Sequence, residues 1–185
     1  MVMSENNKQI IKKIDAACRQ LDTAITLWFQ EGDDVSIHTL ACSAHQIIHD
    51  INKSRKGRDL LFDTVVIKDE YRSEFISFIK GAYNFFKHAD KAPNQDGVIQ
   101  LDSSITGLVI LFSILGLEMH GIKTNVTRSA FILFYGINNP DILTDKYLKS
   151  LVQNIPPEHL TNIRKLKRSQ FFESYNLLMR KTTLP

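Results

Sequence analysis

Read for hydrophobic spacing, the chain opens on a long amphipathic helix. Ile10, Ile14, Cys18 with Ala17, Leu21, Ile25 and Trp28 recur at steps of three and four between Gln9 and about Gln30, the interval that returns a side chain to one helix face. Glu31-Gly32-Asp33-Asp34 interrupts the pattern. Gly32 suits the stop of the first helix, and Asp33 or Asp34 the cap of the next. That second helix is expected from about Val35 to Asn52. Its apolar residues Ile37, Leu40, Ala41, Ala44, Ile47, Ile48 and Ile51 share one arc of roughly 120°. His38, Cys42, His45 and His49 form a narrow stripe beside that arc, and Ser36, Thr39, Ser43, Gln46 and Asp50 on the opposite edge read as solvated.

Lys53 to Arg58 is a short basic connector, and Leu60 to Ile67 is apolar and β-branched, fitting either an irregular packed segment or one short strand. A third helix follows from about Asp69 through Tyr71, Phe75, Phe78, Ile79, Ala82, Phe85 and Phe86, weakened but not ended by Gly81. Asp90 to Gly97 reads as a loop and Val98 to Leu101 as briefly extended. Asp102, Ser103 or Ser104 can then cap a helix, apolar on nearly every side, that ends near His120 and is stopped by Gly121; such a helix belongs at the centre of a bundle. Asn125 or Thr127 caps a further helix from Arg128 to Gly136, ended by Asn138-Asn139-Pro140. Asp141 to Val152 reads as a short helix. Pro156-Pro157 opens the last one, whose two halves (Leu160, Ile163, Leu166, then Phe171, Phe172, Tyr175, Leu178) do not share a face, so a bend is expected near Ser169. The result is an all-α, up-and-down bundle of five to seven helices. It forms a single domain over residues 1–185, with 156–185 a loosely docked C-terminal helix.

Composition narrows the picture. With 185 residues, 43% hydrophobic and 23% charged, the chain can build one proper core. A formal net charge of +3 is compatible with an acidic partner without announcing a nucleic-acid binder. Two cysteines, Cys18 and Cys42, are too few for a disulfide framework and fit a reducing compartment. Met1 to Lys8 carries no signal-peptide core. The apolar run Ile105 to Leu117 spans 13 residues, against about 20 for a membrane span. The expectation is a cytoplasmic protein with no membrane partner.

The densest chemistry lies in Tyr83-Asn84-Phe85-Phe86-Lys87-His88-Ala89-Asp90. Asn84 and His88, four apart, lie on one helix face. His88 has the intrinsic pKa of a general acid or base, Asn84 and Lys87 could hold a phosphate or oxyanion, and Asp90 could orient the imidazole. The plainer reading makes Phe85 and Phe86 core, His88 a cap at the helix C-terminus and Lys87 solvated. This stretch resembles the signature of the HEPN superfamily of small α-helical RNA- and nucleotide-directed domains: an Arg, a polar residue, three variable residues and a His. Aligned on the His, Asn84 takes the polar position, His88 the catalytic His, and Tyr83 stands where the family has Arg. The resemblance implies metal-independent RNA cleavage, commonly in a homodimer and without a cofactor. Tyr83 removes the permanent cation that would stabilise a phosphorane, and Lys87, one turn away, is the candidate to replace it. The chain is also similar to a group of bacterial proteins pairing Ser36-Ile37-His38-Thr39-Leu40 with Asn84-Phe85-Phe86-Lys87-His88-Ala89-Asp90, over most of the first 120 residues. That similarity brings no activity with it, but it adds His38 to the candidates.

His38 lies in the first turn of its helix, where the positive dipole end favours neutral imidazole, and it is expected to face one pocket with His88. The His38, Cys42, His45, His49 stripe also invites a metal reading. It extends for roughly 16 Å at 1.5 Å per residue, too far for one ion, so the alternative is a helix–helix boundary. Lys53-Arg55-Lys56-Arg58 and Arg164-Lys165-Lys167-Arg168, the latter followed by Phe171, Phe172 and Tyr175, could grip phosphates and stack on bases, or could be solvated faces. Three functions therefore stand: binding or processing of RNA or a nucleotide, as a metal-independent ribonuclease if active; a non-catalytic interaction module; and a His-rich metal-binding protein.

Overall fold

The computed structural model describes residues 9–55, 81–87 and 97–182. Elements there are helical: α1 (Lys13–Phe29), α2 (Asp34–Ser54), a helical segment over 81–87 (α3), α4 (Ser103–Met119), α5 (Val126–Asn138), a 3-10 turn (Pro140–Ile142), α6 (Asp145–Val152), α7 (Pro157–Lys165) and α8 (Arg168–Thr182). The fold is an all-α bundle with no strand element among the described residues. Among the described residues no helix is long and apolar enough to cross a membrane. Expectations for Lys56 to Ile79, including the short apolar segment and the start of the third helix, lie outside the described residues, as does the loop before Gly97.

Local chemistry sets the helix ends. The Asp33 carboxylate accepts from the Ser36 N–H at 2.7 Å and opens α2; Asp102 does the same for Ser104 at 2.9 Å and opens α4; Asn125 accepts from Arg128 N–H at 2.9 Å and opens α5. Gly121 ends α4 at φ +76, with Ile122 N–H reaching back to the Leu117 carbonyl, the left-handed stop that glycine favours. The end of α1 is different. Gly32 N–H donates to the Leu27 carbonyl at 2.9 Å, but the left-handed residue is Glu31, φ 55. A side chain there costs about 1–2 kcal/mol of backbone strain.

α4 is the axis, with every residue from Thr106 to Leu117 except Leu108 buried. α1 and α2 form an antiparallel pair, and α2 lies against α4. Buried on both flanks, α2 draws His38, Cys42 and His45 into the core, so the stripe expected beside the apolar arc belongs to it. α1 and α5 are joined by the Arg128 guanidinium, which donates to both Asp22 oxygens at 2.7 and 3.0 Å, and by Asn125 donating to Asp22 at 2.9 Å. An aromatic seam follows: Trp28 meets Phe131 at 4.9 Å edge-on, Phe29 stacks on Phe172 at 4.3 Å, and Phe134 meets Phe171 at 4.8 Å. Such pairs add about 0.5–1.5 kcal/mol each beyond their burial.

Two expectations in the C-terminal half need correcting. The segment from Asp141 is a 3-10 turn, a two-residue extended step at Leu143 and Thr144 and then α6, because Leu143 leaves the helical region (ψ 149) to bury its side chain. The last helix is two helices, α7 and α8. The break falls at Leu166, whose extended backbone (ψ 145) lets α7 and α8 each turn a different apolar face inward. Phe171 and Phe172 of that basic-aromatic run lie against Phe29, so they pack the bundle and are not presented to bases.

Candidate functional site

The described part of the Tyr83-to-Asp90 motif is anchored by Tyr83. Its ring is buried, and its hydroxyl lies 3.2 Å from Ser43 Oγ on α2. Lys87, one turn on, donates from Nζ to the Tyr83 hydroxyl at 2.7 Å and sits 4.2 Å from the centre of the Tyr83 ring. The cation of Lys87 is thereby held at the tip of residue 83, the position where the family pattern has Arg. Asn84, three residues before Lys87, is exposed. His88 and Asp90 lie outside the described residues. Ser43, expected to be solvated, is half-buried and engaged by Tyr83.

His38 occupies a different layer. It is 1% exposed, with Phe86 edge-on at 6.0 Å between ring centres. Both ring nitrogens are engaged: Nδ1 lies 2.9 Å from Thr106 Oγ1 of α4, and Nε2 lies 3.4 Å from Cys42 Sγ. Burial pushes the Cys42 thiol up to about 12, against the opposing pull of the Lys87 ammonium, so at neutral pH the thiol keeps its proton and can donate it to Nε2. Both contacts are satisfied either with Nδ1–H donating to Thr106 and the thiol to Nε2, or with the Thr106 hydroxyl donating to Nδ1 and Nε2–H to the sulfur. Burial also lowers the His38 pKa, in keeping with a neutral ring. The structure therefore brings His38 beside the motif helix, through Phe86, while leaving it no free nitrogen. His38 positions α2 against α4.

Of the rest of the stripe, His45 is buried and His49 half-buried. His45 and His49 stack at 6.3 Å between ring centres. Among the described residues no group of three or more His, Cys, Asp or Glu side chains could hold a metal ion; in a buried helix–helix seam these residues meet rings and hydroxyls instead.

On another flank of α4 the structure opens a cleft of about 470 Å³ that sequence reasoning missed. It gathers the end of α1 (Trp28, Glu31), the start of α4 (Ser103, Gly107), the end of α5 (Tyr135, Asn139) and the α7–α8 junction (Lys167, Arg168). Gly107 is required there: a Cβ would stand 2.3 Å from Tyr135 Cε2, so the phenol ring lies directly on bare backbone. Arg168 places its guanidinium 4.1 Å over the Trp28 ring. The signals available in sequence were Gly107 inside an otherwise bulky apolar helix and the single tryptophan of the chain. Neither identifies a cleft without the tertiary fold.

No family model, no curated protein and no solved structure matches the chain.

Proposed function

We propose that this is a cytoplasmic helical domain, HEPN-like and homodimeric, that binds RNA or a nucleotide through the exposed face carrying Asn84 and Lys87, with His88 as acid/base if bound RNA is cut and Asp90 orienting it. The observation that carries this reading is the 2.7 Å hydrogen bond from Lys87 Nζ to the Tyr83 hydroxyl. It sets a positive charge where the family pattern requires one, next to an exposed amide that can donate to a phosphate. His38, Thr106, Cys42 and Ser43 form the scaffold behind that face. The test is fluorescence anisotropy with a labelled single-stranded RNA in EDTA, alongside gel analysis for cleavage and light scattering for the dimer. Wild type should bind in a salt-dependent way, Lys87→Ala should bind about tenfold more weakly, and any cleavage should vanish in His88→Ala. Binding that is absent, or unchanged in Lys87→Ala, sinks the proposal.

A second reading, a non-catalytic interaction module, is favoured by the mutual engagement of His38, Cys42 and Thr106, which uses polar groups for internal cohesion. It predicts no RNA binding in the same assay.

A further inference from the structure

The cleft on the other flank of α4 differs from the His38 network in one respect: its charged groups are not consumed by each other. Arg168 is half-buried on the face of Trp28, and it makes no ion pair or hydrogen bond among the described residues. Tyr135 is 5% exposed and lines the cleft. Its hydroxyl has no hydrogen-bond partner among the described residues and is not among the polar atoms sealed without a partner. Burial holds its pKa above the ordinary phenol value, which keeps it a donor.

Charge selects the ligand. The rim carries two cations, Lys167 and Arg168, and two carboxylates, Glu31 and Asp102. The Asp102 carboxylate is occupied by the Ser104 N–H; the Glu31 carboxylate is exposed and accepts no hydrogen bond among the described residues. A phosphate dianion would meet both carboxylates, whereas a ligand with one charge of each sign meets a partner for each. Arg168 covers the Trp28 ring, and Phe134 and Tyr135 line the cleft beside it, an aromatic lining that suits a flat or apolar body.

We propose that this cleft binds a zwitterion of the amino-acid or dipeptide class with an aromatic body, its carboxylate on Arg168 with the Tyr135 hydroxyl donating, and its ammonium on Glu31. The cleft is separate from the Asn84–Lys87 face, so the proposal stands or falls independently of RNA binding.

Trp28 is the only tryptophan and lies under Arg168, so its emission reports binding directly. The protein is titrated to millimolar concentration with L-phenylalanine, glycyl-phenylalanine, N-acetyl-phenylalanine, phenylalanine amide and adenosine monophosphate, with calorimetry as the second readout. A saturable change with the free amino acid or the dipeptide is expected, the two arms telling which of these sources fits. Removing either ligand charge should weaken binding about tenfold, and so should Arg168→Gln or Glu31→Gln. The capped ligands keep the test sound even if Arg168→Gln loosens the Trp28 packing. No saturable change with either zwitterion, capped ligands binding as well as the free ones, or tighter binding of the nucleotide that is lost in Arg168→Gln would overturn the proposal.

Discussion

The two flanks of α4 put similar side chains to opposite uses. Toward α2 and α3, His38, Cys42, Thr106, Ser43 and Tyr83 are drawn into contacts with one another, while Asn84 is exposed and Lys87, also exposed, is tied to the Tyr83 hydroxyl. Toward α5 and α8, Arg168, Tyr135 and Glu31 converge on open space with hydrogen-bonding capacity left over. Chemical richness along the sequence marked the first flank; unfilled capacity in three dimensions marks the second. A cluster of reactive residue types is evidence for a site only after its internal hydrogen bonds are subtracted.

The comparison can be broken most forcefully at the cleft floor. Gly107→Ala drives a methyl group into the Tyr135 ring, which is backed by Phe131 at 5.2 Å and cannot retreat. A loss of about 3 kcal/mol is expected, visible as a lower denaturant midpoint and a shifted Trp28 emission. An unchanged midpoint would mean the floor is loose. On the other flank, Thr106→Val keeps shape while removing the hydroxyl partner of His38 Nδ1. About 1–3 kcal/mol should be lost, and a neutral result would show that His38 finds another partner.

Glu31→Gly should act in the opposite direction. It relieves the left-handed strain at φ 55 and stabilises by about 1 kcal/mol, while weakening the zwitterion response of Trp28 about tenfold. Stabilisation without loss of that response would remove Glu31 from the site.

The smallest effect concerns pH. Burial lowers the His38 pKa in the folded state, so the unfolded chain takes up a proton that the folded chain refuses. Stability is then fully present above the unfolded value of 6.5 and falls as pH drops below it, by at most about 1.4 kcal/mol per pH unit for one proton. Denaturant titrations from about pH 7.5 to about pH 5.5 should show the fall in wild type and a shallower one in His38→Gln. Equal slopes would mean that other groups dominate.

Much of the fold was legible in the chain. The periodicities of α1, α2 and α5 were strong, α4 was apolar enough on all sides to be the axis, and Gly121 was a stop that needed positive φ. Other features depended on partners far away in sequence. The His38 stripe was read beside the core because one helix in isolation cannot reveal that α4 covers its second flank. Glu31, rather than Gly32, took the left-handed position because the turn had to bring Gly32 N–H back to the Leu27 carbonyl. The split at Leu166 was anticipated as a bend, three residues late, since two helices with different apolar faces mimic one bent helix. Of the candidate site, Lys87 could be matched to the missing Arg by helical spacing, but its contact with Tyr83 could only be suspected. The cleft could not be read at all, as Trp28, Gly107, Tyr135 and Arg168 come from four separate helices.

The most direct test of the contrast is RNA anisotropy in EDTA with three proteins: wild type, Lys87→Ala and Arg168→Gln. The account predicts that RNA binding falls about tenfold in Lys87→Ala and is retained in Arg168→Gln. The reverse pattern, with Arg168→Gln losing RNA and Lys87→Ala keeping it, would contradict the assignment of the two flanks.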